Sequence, residues 1–121
     1  FNAGVGNCHN GGDPQVMYQT IKDQFHTLPD SVCIYPGHDY LENNLEFTLS
    51  LEPDNQSAKE WLAEVKKVDP SINPLLTSIG DEREFNTFFR LNNHMIKESL
   101  SLESAEEKEV FLALREKRNS W

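Results

Sequence analysis

Basic residues are scarce in this chain. Eleven Lys and Arg stand against 20 Asp and Glu, a net charge of -9 over 121 residues. Such a surface repels polyphosphate, which disfavours general nucleic-acid binding, and no nucleic-acid partner is expected. Cysteine is scarcer still. Cys8 and Cys33 are too few for a disulfide scaffold of this size. A reduced compartment, the cytoplasm or the mitochondrial matrix, is expected, and secretion is not. No apolar run nears the roughly 18 residues that cross a bilayer, so no membrane partner is expected. No leader or lipidation motif is visible. The early glycines form neither G-x-G-x-x-G nor G-x-x-x-x-G-K, which excludes the common nucleotide-phosphate loops. A starting Met is also lacking. Phe1-Asn2-Ala3-Gly4 reads as a strand end entering a loop, so a fragment of a longer chain is expected.

Gly4, Gly6, Gly11 and Gly12 flank a polar loop holding Asn7, Cys8, His9 and Asn10. Asp13 and Pro14 then suit a helix start. Met17, Ile21 and Phe25 recur at i, i+4, i+8 and mark an apolar face. Leu28 to Ser31 is a turn. Val32-Cys33-Ile34-Tyr35 is β-prone and reads as a buried strand with Cys33 in the core. Pro36-Gly37 ends it and leaves His38, Asp39 and Tyr40 at its carboxyl end, where ligand sites gather in α/β folds.

Leu41, Leu45, Thr48 and Leu49 predict a helix that Pro53 stops. Asp54 or Asn55 caps the next, with Trp61, Leu62, Val65 and Val68 as its stripe. Pro70 to Asn86 is expected to be irregular, broken by Pro70, Pro74 and Gly80. A helix is expected from about Asn93 to Leu102. Ser104-Ala105-Glu106-Glu107 reads as a capping box. The final helix buries Val110, Phe111 and Leu114 and ends with Arg115, Lys117 and Arg118. The expected fold class is α+β, mostly α. Residues 1–40 read as β-loop-α-β, too few strands for a stable sheet alone, and residues 41–121 as helical.

His38 has two readings, a metal ligand or a turn histidine bonded to backbone. No H-x-H or C-x-x-C pair lies near it. His9, His26 and His94 are scattered; His26 reads as an exposed helix-end residue and His94 as structural. Cys8 is either a nucleophile beside His9 or a small loop residue. Arg115, Lys117 and Arg118 either complement the helix dipole or dock a small anion.

Three segments together resemble glyoxalase II, the hydroxyacylglutathione hydrolase family of the metallo-β-lactamase superfamily. They are FNAGVGNCHNGG at residues 1–12, Ile34 to Tyr40 continuing through Asn43-Asn44-Leu45-Glu46-Phe47 to Asn55, and Val110 to Asn119. Thr77 to Arg83, with Asn86 and Phe88 to Arg90, adds a weaker match. The resemblance implies the end of an αββα sandwich over residues 1–40 and a helical substrate-binding domain over residues 41–121. It implies that His38 ligates one metal of a two-metal centre, of zinc or iron, in the intact protein. It implies that Tyr40 and Lys117 contact a glutathione thioester. No catalytic residue is assigned in this chain. The remaining metal ligands, including an H-x-H-x-D-H motif, belong to the N-terminal half of the sandwich, which is the expected partner. These 121 residues alone are expected neither to bind the metals nor to turn over.

The chain departs from the family at three contact positions. Asn7 replaces a basic residue, His9 replaces an aromatic one, and Leu114 stands where an arginine is expected, with Arg115 following. Two alternatives remain open. One is a persulfide dioxygenase-like enzyme with one iron, which the long helical tail opposes. The other is a non-catalytic helical interaction module.

Overall fold

Asp13 opens the first helix. Its carboxylate accepts from the Gln15 N–H at 2.8 Å, and Pro14 sits where no N–H is needed. A computed structural model describes all 121 residues and continues this helix, α1 (Pro14–Thr20), into a π-helical turn over Ile21–Phe25. The wider turn departs from the 3.6-residue line that Met17, Ile21 and Phe25 suggest. Tyr18 and Ile21 are buried, whereas Met17 and Phe25 are half-buried.

The strand expected over Val32–Tyr35 contracts to β1 (Cys33–Ile34). It pairs antiparallel with β2 (Thr77–Ser78), Cys33 opposite Ser78 and Ile34 opposite Thr77. This ladder is the whole sheet. Strand side chains alternate between faces, and so small a ladder has one covered face. Ile34 takes it. Cys33 is therefore exposed, contrary to expectation, and Tyr35 is 77% exposed. Residues 1–12 form no strand. The chain is mostly helical with a two-stranded sheet.

Helix α2 (Leu41–Leu51) buries Leu41, Leu45 and Thr48 as its spacing predicts, together with Asn44, Phe47 and Leu51. Asn55 then caps α3 (Gln56–Val65), its side chain accepting from the Ala58 N–H at 2.9 Å. The segment from Pro70 to Asn86 is not irregular throughout. After β2 it forms α4 (Ile79–Phe85), capped reciprocally by Ser78 and Asp81. Gly80 falls in the first turn, where its N–H bonds the Asp30 carbonyl at 3.0 Å. It docks the helix rather than breaking it.

A 3-10 turn (Thr87–Phe89) leads to α5 (His94–Ser99), capped by Asn93. This helix stops short of Leu102 because Ser101 turns left-handed, at φ 57°, while the Leu102 N–H returns to the Lys97 carbonyl. The capping box expected at Ser104–Glu107 does not form. Glu106 is the N-cap of α6 (Glu107–Asn119) with no side-chain bond, and the Glu107 carboxylate accepts from Asn92 instead.

Two apolar clusters result. The larger joins Phe47, Leu51, Phe88, Phe111 and Leu114, and α1 rests on it with Tyr18 edge-on to Phe111 at 5.5 Å. The smaller gathers Ala3, Leu41, Leu45, Ala58 and Phe85 beneath Trp61. Between them Glu52, buried at the end of α2, takes a two-point bond from Arg90, at 2.7 and 3.2 Å. No helix is long and apolar enough to cross a membrane.

Candidate functional site

The Pro36-Gly37 turn after β1 leaves His38 on the surface, its ring stacked on Tyr40 at 5.8 Å and 22° between planes. Asp39 steers the chain into α2. Its Oδ1 accepts from the Leu41 N–H at 3.2 Å and from Asn2 Nδ2 at 3.3 Å. One turn on, Asn44 is 5% exposed. Its Nδ2 donates to the Asn2 carbonyl at 2.9 Å, and its Oδ1 accepts from Arg118 Nε at 2.9 Å. Gly4 is needed beside it, because a Cβ there would lie 2.9 Å from Asn44 Cγ.

The three basic residues of α6 part company. Arg115 is 4% exposed. Its Nη1 donates to the Val5 and Gly6 carbonyls at 2.9 and 2.6 Å, and its Nη2 to Asn119 Oδ1 at 3.2 Å. Burial pushes its pKa below the ordinary arginine value, and the neighbouring Arg118 charge adds to this. Arg115 is a strut under the glycine-rich loop. Lys117 is exposed and points to no partner. Arg118 is half-buried, with Nε spent on Asn44.

A cavity of about 400 Å³ opens between these elements. Asn7 and His9 line it from the loop, His38, Tyr40 and Asn44 from the start of α2, and Arg115 and Arg118 from α6. A smaller recess of about 130 Å³ continues past His38 and Asn44 to Asn2 and Phe1. The fold thus brings together His38 and Tyr40, but not Lys117, which lies outside the lining. Arg118 and Asn44 take part instead. Helical spacing carried that signal: positions 115 and 118 share a face, and 117 is turned away. Leu114, at the expected arginine position, is fully buried in the core.

A second groove, of about 380 Å³, lies beyond Tyr40. Asp39, Glu42 and Glu46 line it with Val65, Val68 and Leu75, so it disfavours an anion. Cys8 is half-buried and borders an apolar cavity behind the loop rather than the site. His26 stacks on Phe89 at 5.3 Å, and burial lowers its pKa. His94 stands exposed at the start of α5, 3.5 Å from Glu98.

The chemistry of the donor set decides what the site can hold. No group of three His, Cys, Asp or Glu side chains able to take a metal forms in this chain. Asp39 Oδ1 is already engaged by Leu41 and Asn2. One imidazole falls short of the roughly three protein ligands a metal centre needs. The residues present do not fit a metal by themselves. The cavity lining holds the cationic Arg115 and Arg118 and no carboxylate.

Residues 39–121 match the family model described as "Hydroxyacylglutathione hydrolase C-terminus". The chain is 50% identical to the hydroxyacylglutathione hydrolase of Nitrosococcus oceani, over 100% of this chain and 48% of that protein. It is 47% identical to that of a Polaromonas species, with the same coverage. It is 33% identical to that of a Bradyrhizobium species, over 98% of this chain and 46% of that protein. The chain spans about half the length of the curated relatives it matches. With helices α2 to α6 inside the matched region, the chain belongs to the hydroxyacylglutathione hydrolase C-terminus family.

Proposed function

We propose that this chain is the substrate-binding portion of a metal-dependent thioester hydrolase. The substrates are S-(2-hydroxyacyl)glutathione-like thioesters, and the products are a 2-hydroxy acid and the free thiol. The observation that carries this reading is the cavity shared by His38, Tyr40 and Arg118, which has no carboxylate in its lining. An anionic carrier meets only neutral or cationic groups there, in a chain whose net charge is -9. Residues 1–40 would be the end of the sandwich, and residues 41–121 the helical domain that positions the carrier.

In this reading His38 is one ligand of a centre of two zinc or iron ions completed by residues outside this chain. Tyr40 orients the carrier through its ring and hydroxyl. Lys117, exposed and outside the lining, attracts the carrier by its charge without gripping it. Such groups contribute by positioning. The two free cysteines fit a reduced compartment, the cytoplasm or mitochondrial matrix.

The test is hydrolysis of lactoylglutathione by the full-length protein, followed by loss of thioester absorbance. Turnover is expected there and not in the 121-residue chain supplied with zinc or iron. Turnover by the short chain would overturn the division of labour proposed. Lys117→Ala is expected to raise KM more than it lowers kcat.

A further inference from the structure

We propose that Asn2 is a positioning residue that sets the corner carrying His38 and Tyr40 at the edge of the cavity. Its effect on turnover rests on the proposed reading of that cavity. Its effect on the corner rests on geometry alone. Residues 36–39 lie between β1 and α2 and belong to no helix or strand. They make no backbone–backbone hydrogen bond. A Cβ at Gly37 would meet nothing within 4 Å, so the turn has room to swing. One hydrogen bond reaches this corner from elsewhere in the chain, and it runs from Asn2 Nδ2 to Asp39 Oδ1 at 3.3 Å. The other bond to Asp39, from the Leu41 N–H at 3.2 Å, is local.

Asn2 can serve as an anchor because it is itself fixed. It is 3% exposed. Its carbonyl accepts from Asn44 Nδ2 at 2.9 Å, and both Glu82 oxygens take the N–H of the next residue, at 2.8 and 3.0 Å. Asn86 holds the Gly4 carbonyl at 3.2 Å. Asp39, just before α2, and Asn44, within it, thus grip one residue from two sides. Asn2 also lines the recess of about 130 Å³ together with Gly37, His38 and Tyr40. A side chain of similar size without an amide would fill that space and leave Asp39 untied. The corner would then swing about Gly37 and carry the stacked rings of His38 and Tyr40 with it. A displacement of about 1 Å in a binding constellation can cost about 100-fold in rate. Asn2 acts through Asp39 on the two rings.

The experiment follows lactoylglutathione hydrolysis by the full-length protein and, in parallel, the His38–Tyr40 ring contact by nuclear Overhauser effects. Asn2→Leu keeps the volume and the main-chain bond to Asn44. It should lower kcat/KM by about 10- to 100-fold and abolish the ring contact. Asn2→Asp sets carboxylate against carboxylate and should lose at least as much. Adding Asp39→Asn to Asn2→Asp rebuilds an amide–carboxylate pair in reverse and should recover part of the loss. A merely structural Asn2 would not be rescued by a change at residue 39. Asn2→Leu should also add almost nothing in an Asp39→Ala background, whereas an independent role would cost the same in both. Parent-like turnover in Asn2→Leu, or no recovery in the reversed pair, overturns this inference and leaves the proposed function standing. A parent that does not hydrolyse the thioester overturns the proposed function. The ring contact then decides this inference alone: kept in Asn2→Leu it overturns it, and lost it supports it.

Discussion

Residues 1–40 and residues 41–121 are held by different forces. The second region buries Phe47, Phe85, Phe88, Phe111 and Leu114 in contiguous apolar clusters. In the first, Tyr18, Ile21 and Ile34 share that core, and the opening segment, besides packing Phe1 and Ala3, is held by polar side chains reaching across. Glu82 accepts the Ala3 N–H at 2.8 and 3.0 Å. Asn44 holds the Asn2 carbonyl, Asn86 that of Gly4, and Arg115 those of Val5 and Gly6. Apolar packing spreads its energy over many small contacts, whereas clamps concentrate it in a few bonds. Clamps also hold what packing does not favour. Ala3 sits at φ 55°, a conformation that disfavours side chains. The lesson is that the candidate site, which lies on the clamped segment, depends on polar residues far away in sequence.

The largest expected effect breaks both regions at once. Phe111 is fully buried and touches Phe88 and Tyr18 edge-on. Phe111→Ala should cost about 3–5 kcal/mol in denaturant unfolding, as for other large-to-small core changes. Helix α1 should lose amide-exchange protection together with α6. If α1 keeps its protection, it does not depend on the shared core.

Glu82→Ala separates the regions instead. It leaves the buried Ala3 N–H without an acceptor, a loss of about 1–3 kcal/mol. Exchange at residues 3–6 should accelerate while α6 keeps its rate. Uniform acceleration across the chain would show that the clamp is not local.

The same clamp has a pH signature. Burial pushes the Glu82 carboxyl above its ordinary value of 4.5, against the opposing bonds from Ala3 and Asn86. The native state therefore holds this proton more tightly than the unfolded chain does. Its contribution to stability is full below about pH 4.5 and is lost as pH rises through the native value. Glu82→Gln should flatten that slope in a series of urea midpoints. An unchanged slope would place its origin elsewhere.

Much of the helical region was legible because its determinants are local. Asp13, Asn55 and the Leu41–Leu45–Thr48 face each act within one turn of their own position. Failures arose where a distant partner chose between equivalent local patterns. Ser78-Ile79-Gly80-Asp81 and Ser104-Ala105-Glu106-Glu107 both fit a capping box, and only the first forms one. Val32 accepts the Ile79 N–H at 2.9 Å and seats the first, while Asn92 takes the Glu107 carboxylate and removes it from the second. Cys33 was misplaced for a similar reason. Alternation tells which residues share a face, not which face is covered. At the site, His38 and Tyr40 were visible as a strand-end pair. Asn44 was not, because its role depends on Asn2 and Arg118, neither near it in sequence.

The smallest effect tests how rigidly the two regions meet. Gly80 in α4 faces Asp30 in the preceding turn, and a Cβ there would lie 3.1 Å from the Asp30 Cβ and 3.3 Å from its carbonyl oxygen. Helix propensity alone favours Gly80→Ala by up to about 1 kcal/mol. The contact opposes this gain, and Asp30 has little freedom to retreat. Its carbonyl accepts the Gly80 N–H at 3.0 Å, and Arg83 holds its carboxylate while also bonding the His26 and Leu28 carbonyls. Gly80→Ala should therefore lower the urea midpoint slightly, by less than about 1 kcal/mol in stability, since the crowding offsets the propensity gain. A raised midpoint would mean that the Asp30 turn yields. The first region would then be soft at this seam, and its buried contacts at Tyr18, Ile21 and Ile34 would carry what rigidity it shares with the core.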